Sequence, residues 1–204
     1  MKYIYFFTIA IFALLIGTAN VEADELGENL ALIGIYDTAG YPNSVTISGN
    51  YAYLAEGTQG LEIMNIEDPT DPTFVGSYDT DGSARDVTIL GNYAYIADRA
   101  GGLVIVNIED PTNPTLEGSY DIGNWVSDVA ISGDYAYLAA DDDGLVVLNI
   151  EDPVNPTWVT ANDIGGYAYS VTISGDYAFI ADKDNGLVVL NIEEPTNPTV
   201  LANY

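Results

Sequence analysis

Gly102-Leu103-Val104-Ile105-Val106-Asn107-Ile108-Glu109-Asp110-Pro111 is a short apolar run opened by glycine and closed by Asp-Pro. Versions of it begin at Gly60, Gly144 and Gly186, always 42 residues apart. Self-similarity at a fixed period of this size marks a repeat architecture and decides the fold before any local reading. The register holds without insertion across four copies. Val45, Val87, Val129 and Val171 align, as do Gly49, Gly91, Gly133 and Gly175, and Tyr51-Ala52-Tyr53 with its three counterparts. Asn65, Asn107, Asn149 and Asn191 share one position, and the prolines come in pairs such as Pro111 and Pro114.

Each copy reads as four short strands. In the second copy these are Asp86–Leu90, Tyr93–Ala97, Leu103–Ile108 and Thr115–Tyr120. Gly91-Asn92 turns the chain between the first two. Pro111 to Pro114 breaks it before the fourth, because proline has no ladder donor and fixes φ. Four strands in about 40–45 residues is one propeller blade. After residue 23 no stretch shows helical spacing of apolar residues. The expectation is an all-β propeller with blades at 44–78, 86–120, 128–162 and 170–204 and a leading outer strand at 30–38.

The Gly-Leu-Val-Ile-Val-Asn-Ile-Glu-Asp-Pro copies resemble the LVIVD repeat of secreted or cell-surface proteins. The resemblance covers Ser44 to Tyr204. It implies a β-propeller and an exported location, and it implies no activity.

Residues 1–23 read as a secretory signal: Lys2, an apolar run from Tyr3 to Ile16, and Val21-Glu22-Ala23 as cleavage site. The run is short for a membrane span of roughly 20 residues, and an uncleaved anchor is the other reading. The propeller domain is then 24–204. There is no cysteine, so no disulfide supports the fold. The formal net charge is -27. That argues against nucleic acid, whose phosphates need Lys and Arg, and against anionic membranes. It suits a dispersed, acidic, secreted protein.

The strand count leaves ring closure open. A leading outer strand and a complete fourth blade make five outer strands for four inner sets. A closed four-blade ring with a spare strand, two chains completing a larger ring, and part of a longer propeller all fit. Glu62 stands where the other copies have Val104, Val146 and Val188. A charge there suggests that this face of blade one is less covered, as in a capping repeat.

Loops joining strand four to the next strand one, and strands two to three, fall on one face, here called the top. The opposite turns are uniform, and Asp68, Asp110, Asp152 and Glu194 read as turn formers. The top loops vary. They carry Tyr41, Trp125 and Tyr167 at one register, Asn43, Arg85 and Tyr169 two residues later, and Arg99 and Lys183 between strands two and three. Variable loops on a rigid scaffold, rich in aromatics and Arg, are where binding concentrates. Packing of Trp125 over the channel is the bland alternative.

Asp141-Asp142-Asp143-Gly144 invites a calcium site, but the spacing is not that of an EF-hand loop. An acidic turn is the simpler reading, and no cofactor is expected. With no His and no Cys, a Ser-His-Asp or Cys-His system and the common zinc sites are excluded. The expectation is an exported, non-enzymatic module binding a protein or glycan at the top face. The alternative is a carboxylate-dependent hydrolase or lyase of polysaccharides, with or without calcium assistance.

Overall fold

The computed structural model describes residues 33–38 and 40–203. The signal segment and the first three residues of the expected leading strand, 30–32, lie outside these residues. Among the described residues sixteen strands form four antiparallel sheets of four, each a simple meander. Blade one is β1(Ser44–Ser48), β2(Tyr51–Ala55), β3(Leu61–Asn65) and β4(Thr73–Tyr78). Blade two is β5(Asp86–Leu90), β6(Tyr93–Ala97), β7(Leu103–Asn107) and β8(Thr115–Tyr120). Blade three is β9(Asp128–Ser132), β10(Tyr135–Ala139), β11(Leu145–Asn149) and β12(Thr157–Asn162). Blade four is β13(Ala168–Ser174), β14(Tyr177–Asp182), β15(Gly186–Asn191) and β16(Thr199–Asn203).

The glycine that opens each apolar run has a double reason. Gly60, Gly102 and Gly144 sit at φ of 77, 74 and 73°, a region that L side chains avoid. A Cβ on any of them would also collide with a carbonyl of strand four, those of Tyr78, Tyr120 and Asn162. The Asp-Pro turns close as their residue types require. Asp68 Oδ1 accepts from the Thr70 N–H at 2.9 Å, and Asp110 and Asp152 do the same for residues 112 and 154. Asn65, Asn107, Asn149 and Asn191 each accept from the N–H two residues on. A register shift recurs where strand three meets strand four, at Ile63/Met64 and its three equivalents, and adds twist to each blade.

The core lies between blades. Tyr53, Ala55, Leu61 and Ile63 of blade one pack on Ala94, Ile96, Val104 and Val106 of blade two. The same positions repeat between blades two and three and between three and four. Strands two and three are therefore apolar on both faces, as expected of strands covered on both sides. Outer strands touch the next blade too: a Cβ on Gly76 or Gly118 would strike the carbonyl of Pro111 or Pro153 in the following turn.

Inner strands stack in chain order, β1 on β5, β5 on β9 and β9 on β13, with no comparable packing of β13 back on β1. The arrangement is an open arc, which replaces the closed four-blade ring among the expectations. Two further expectations change. Residues 33–38 form no strand, but Gly34 lies against Pro69 as Gly76 lies against Pro111, so the segment takes the place of an outer strand without its ladder. Glu62 is 9% exposed rather than open to solvent. The face around it, Ala52, Leu54 and Met64, is buried, with Tyr36 of the leader packed on it. The uncovered face is at the other end, where Leu187 is 42% exposed.

Candidate functional site

A concavity of about 850 Å³ opens at the top of the inner strands and takes residues from all four blades. Its lining falls on four positions of the 42-residue unit. Trp125 and Tyr167 come from the first, and Asn43, Arg85, Ser127 and Tyr169 from the second. The third, at the start of the inner strand or just inside it, gives Ser44, Asp86, Asp128 and Ser170. The fourth, in the loop between strands two and three, gives Arg99, Asp141 and Lys183. Seven of the eight residues expected from sequence meet here. Tyr41 does not; it is 87% exposed and outside the lining.

Backbone pairing explains why two loop classes converge. Gly57, Arg99 and Asp141 form isolated bridges with Ala84, Val126 and Ala168, each tying a blade's loop to the approach of the next inner strand. Arg99 exchanges both bonds with Val126 at 3.1 Å. This carries its guanidinium over the neighbouring Trp125 ring, 4.9 Å from the centroid. Lys183 sits 5.0 Å from the Tyr167 centroid in the same way. Trp125 is half exposed, so it rims the concavity instead of plugging it. Where blade one uses Gly57 at this bridge, Arg99 and Asp141 hold left-handed backbones, φ 47 and 46°. Such a conformation costs a non-glycine residue about 1–2 kcal/mol, and it falls on the rim.

Arg85 donates to Asn43 Oδ1 at 3.1 Å. Burial and the adjacent Arg99 hold its guanidinium below its ordinary value, so two like charges stand side by side. Asp141 lies close enough to Arg99 and Lys183 to feel their charge, and other neighbouring acids bond elsewhere. Asp98 is buried and accepts from the Thr80 hydroxyl at 2.7 Å and the Gly82 N–H at 2.9 Å. Burial raises the Asp98 carboxyl even so. Glu56, its counterpart in blade one, is pushed up to about 7 by burial and by Glu62, with Thr38 and Gly40 partly countering this.

The residues at the start of the inner strands, Ser44, Asp86, Asp128 and Ser170, were not among those the sequence pointed to. Ser44 donates to Asp86 Oδ1 at 2.5 Å, Asp86 Oδ2 accepts from the Val129 N–H at 3.3 Å, and Asp128 Oδ2 accepts from the Val171 N–H at 2.8 Å. Each carboxyl thus clasps the next blade. Burial, and then the hydrogen bond and charge of Asp86, push the Asp128 carboxyl up to about 7. The signal was there: Ser44, Asp86, Asp128 and Ser170 stand at one register, just before the aligned valines.

Among the described residues no group of three or more acids is placed to hold a metal ion. Asp142 accepts from the Asn124 amide at 2.5 Å, and Asp141 borders the concavity, so the Asp141-Asp142-Asp143 run is spread around a turn. No helix among these residues is long and apolar enough to cross a membrane.

The LVIVD repeat model matches residues 39–80, 81–122, 123–162 and 165–204. The chain belongs to the LVIVD-repeat family. Among solved structures it resembles the computationally designed Ika4 protein, with a TM-score of 0.65 and 11% identity over 80% of this chain and 99% of that one. The designed Ika8 protein gives 0.66 and 10%, over 82% of this chain and 51% of that one. The Cps50 (Swd1) β-propeller domain of Myceliophteria thermophila gives 0.64 and 10%, over 80% and 58%. At these identities the likeness is of fold. The LVIVD chain spans about half the length of Ika8 and 58% of the Cps50 domain. No curated protein has a matching sequence.

Proposed function

We propose that this LVIVD-repeat chain is an exported, non-catalytic binding module that takes a glycan in the concavity at the top of its inner strands. The observation that carries this reading is the convergence of Trp125, Tyr167 and Tyr169 with Arg85, Arg99 and Lys183 around one hollow. Its size is in the range of small-ligand sites, about 300–1,000 Å³. A protein partner would ordinarily cover about 800 Å² of flatter surface. Half-exposed aromatic rings on a rim suit the C–H faces of sugar rings, and the carboxyls and serines beneath suit hydroxyl groups.

The hydrolase alternative has one observation in its favour, the Asp86–Asp128 pair. Asp86 stands close enough to Asp128 to raise its carboxyl, and both accept from Ser44 or from backbone N–H groups of the next blade. Glycosidases set theirs about 5–9.5 Å apart to admit the scissile bond or a water. This closeness supports binding over cleavage. Export rests on the apolar run from Tyr3 to Ile16 and on the acidic composition.

A glycan array with the wild-type protein and a Trp125→Ala/Tyr167→Ala variant tests the site. Loss of the bound class in the variant, with an unchanged melting curve, is expected. Retention of that binding in a folded variant overturns the assignment. Turnover of a bound glycan that Asp128→Asn abolishes would replace the reading with the hydrolytic one.

A further inference from the structure

The charges of the concavity narrow the ligand class. The protein has four basic residues, and the three that fall among the described residues, Arg85, Arg99 and Lys183, all line this hollow. The whole chain carries 31 acids, of which Asp86, Asp128 and Asp141 line the hollow with them. Chance scatter of three cations over such a surface would not set two guanidiniums beside each other. An anion between them would relieve their repulsion, and Arg presents a planar fork that matches a carboxylate.

The floor gives the complementary constraint. Asp86 and Asp128 face the same space, with their oxygens already held by Ser44 and by two backbone N–H groups. Such carboxyls accept from hydroxyl donors and repel a second negative charge. A dense polyanion would meet them, and the field of the whole acidic protein, at every step. The chemistry that satisfies both rim and floor is one carboxylate among many hydroxyls.

We propose, resting on the glycan reading above, that the ligand is an acidic sugar. Its carboxylate lies between Arg85 and Arg99, its ring lies against Trp125, and its hydroxyls turn toward Asp86 and Asp128. The left-handed backbone of Arg99 belongs to this site: blade one shows that glycine satisfies the turn, and blade two gives up that ease to aim a cation inward.

Titration calorimetry with a galacturonate trisaccharide and with the neutral galactose trisaccharide tests the inference. The acidic probe is expected to bind about tenfold or more tightly than the neutral one, the scale of one charge-assisted contact. Arg85→Gln and Arg99→Gln should each erase most of that preference, lowering the affinity for the acidic probe much more than that for the neutral one. Trp125→Ala should weaken both probes. Equal binding of the two probes, or full acidic preference in both Gln variants, overturns the acidic-sugar inference. If Trp125→Ala still weakens both in that case, the glycan reading stands without it. Binding of neither probe overturns the inference, and the array result then decides the broader reading. Tight binding of a polysulfated chain such as heparin, lost in the Gln variants, would also overturn it in favour of a polyanion site.

Discussion

The two end blades carry the same repeat and meet solvent differently. Leu61 of blade one is fully buried because blade two lies on it, whereas Leu187, its equivalent in blade four, is 42% exposed. Phe179 and Val189 on the same face are half-buried, where Tyr53 and Ile63 are buried. At the other end, Leu54 and Met64 are buried, though no blade precedes them among the described residues, and Tyr36 of the leader packs there. A strand that is apolar on both faces does not cover itself; burial in this fold is supplied by the neighbour. The leader supplies it at one end with a single extended segment, and at the accepted cost of Glu62.

Substitutions can break this comparison. Leu103→Ala, within the stack, is expected to cost about 2–5 kcal/mol, the range for a fully buried leucine. Leu187→Ala should cost well under half as much. Urea unfolding of both variants measures the gap, and equal losses would mean that the blade-four face is covered in solution.

Gly34→Val comes next. A side chain there meets the Pro69 carbonyl and the Thr70 backbone. Forcing it in should cost about 1–3 kcal/mol, as overpacking does, and should expose Ala52, Leu54 and Met64 to a hydrophobic dye. Gly49→Ala is the control for a glycine with open space around it, although its φ of 60° carries its own strain. That variant should lose stability without binding dye.

Glu62→Val restores the residue of the other blades. Its Oε1 is buried without a hydrogen-bond partner among the described residues, and burial raises its carboxyl. The change should stabilise by about 1–2 kcal/mol. Glu56 and Asp128, each pushed up to about 7, act in the same direction. A carboxyl whose folded value exceeds its unfolded value of about 4 favours the folded state most below that pH. Its contribution is lost as pH rises toward 7, because the native state then holds more protons than the unfolded one. Melting temperature should therefore fall between about pH 4 and pH 7–8. Glu62→Val and Glu56→Gln should flatten that slope. A melting temperature that rises across the window would contradict the burial assigned to these groups.

The smallest effect is expected from Arg99→Gly. Relief of the left-handed strain is offset by the freedom glycine gains in the unfolded chain. Stability should stay level or rise by up to about 1 kcal/mol, while acidic-sugar binding falls. A clear loss of stability would show that Arg99 holds the blades together and is not placed for a ligand.

Most of the fold was legible because the repeat fixes it. The spacing of Gly60, Gly102, Gly144 and Gly186 gave the period, and apolar pairs such as Leu103 and Val104 required cover on two sides. Closure was not legible, because no residue in one unit states how many units complete a turn; that depends on small rotations between sheets. Glu62 misled, since a charge among valines reads as exposed while the leader buries it. At the site, variation between copies found Arg85, Arg99, Trp125, Tyr167, Tyr169 and Lys183. Variation failed for Tyr41, at the open end of the arc, where it is 87% exposed and outside the lining. It also passed over Asp86 and Asp128, whose register alternates only between Ser and Asp and whose partners lie about 42 residues away.

The concavity uses four positions of the unit, and the packing between blades uses others, such as those of Tyr53, Ala55, Leu61 and Ile63. Scaffold and recognition are thus written in separate letters of one 42-residue word. A copying error that duplicates the word adds a blade with a ready surface on each side. Later changes at the four lining positions can then alter what the hollow accepts, one blade at a time, while the wall between blades keeps its spelling.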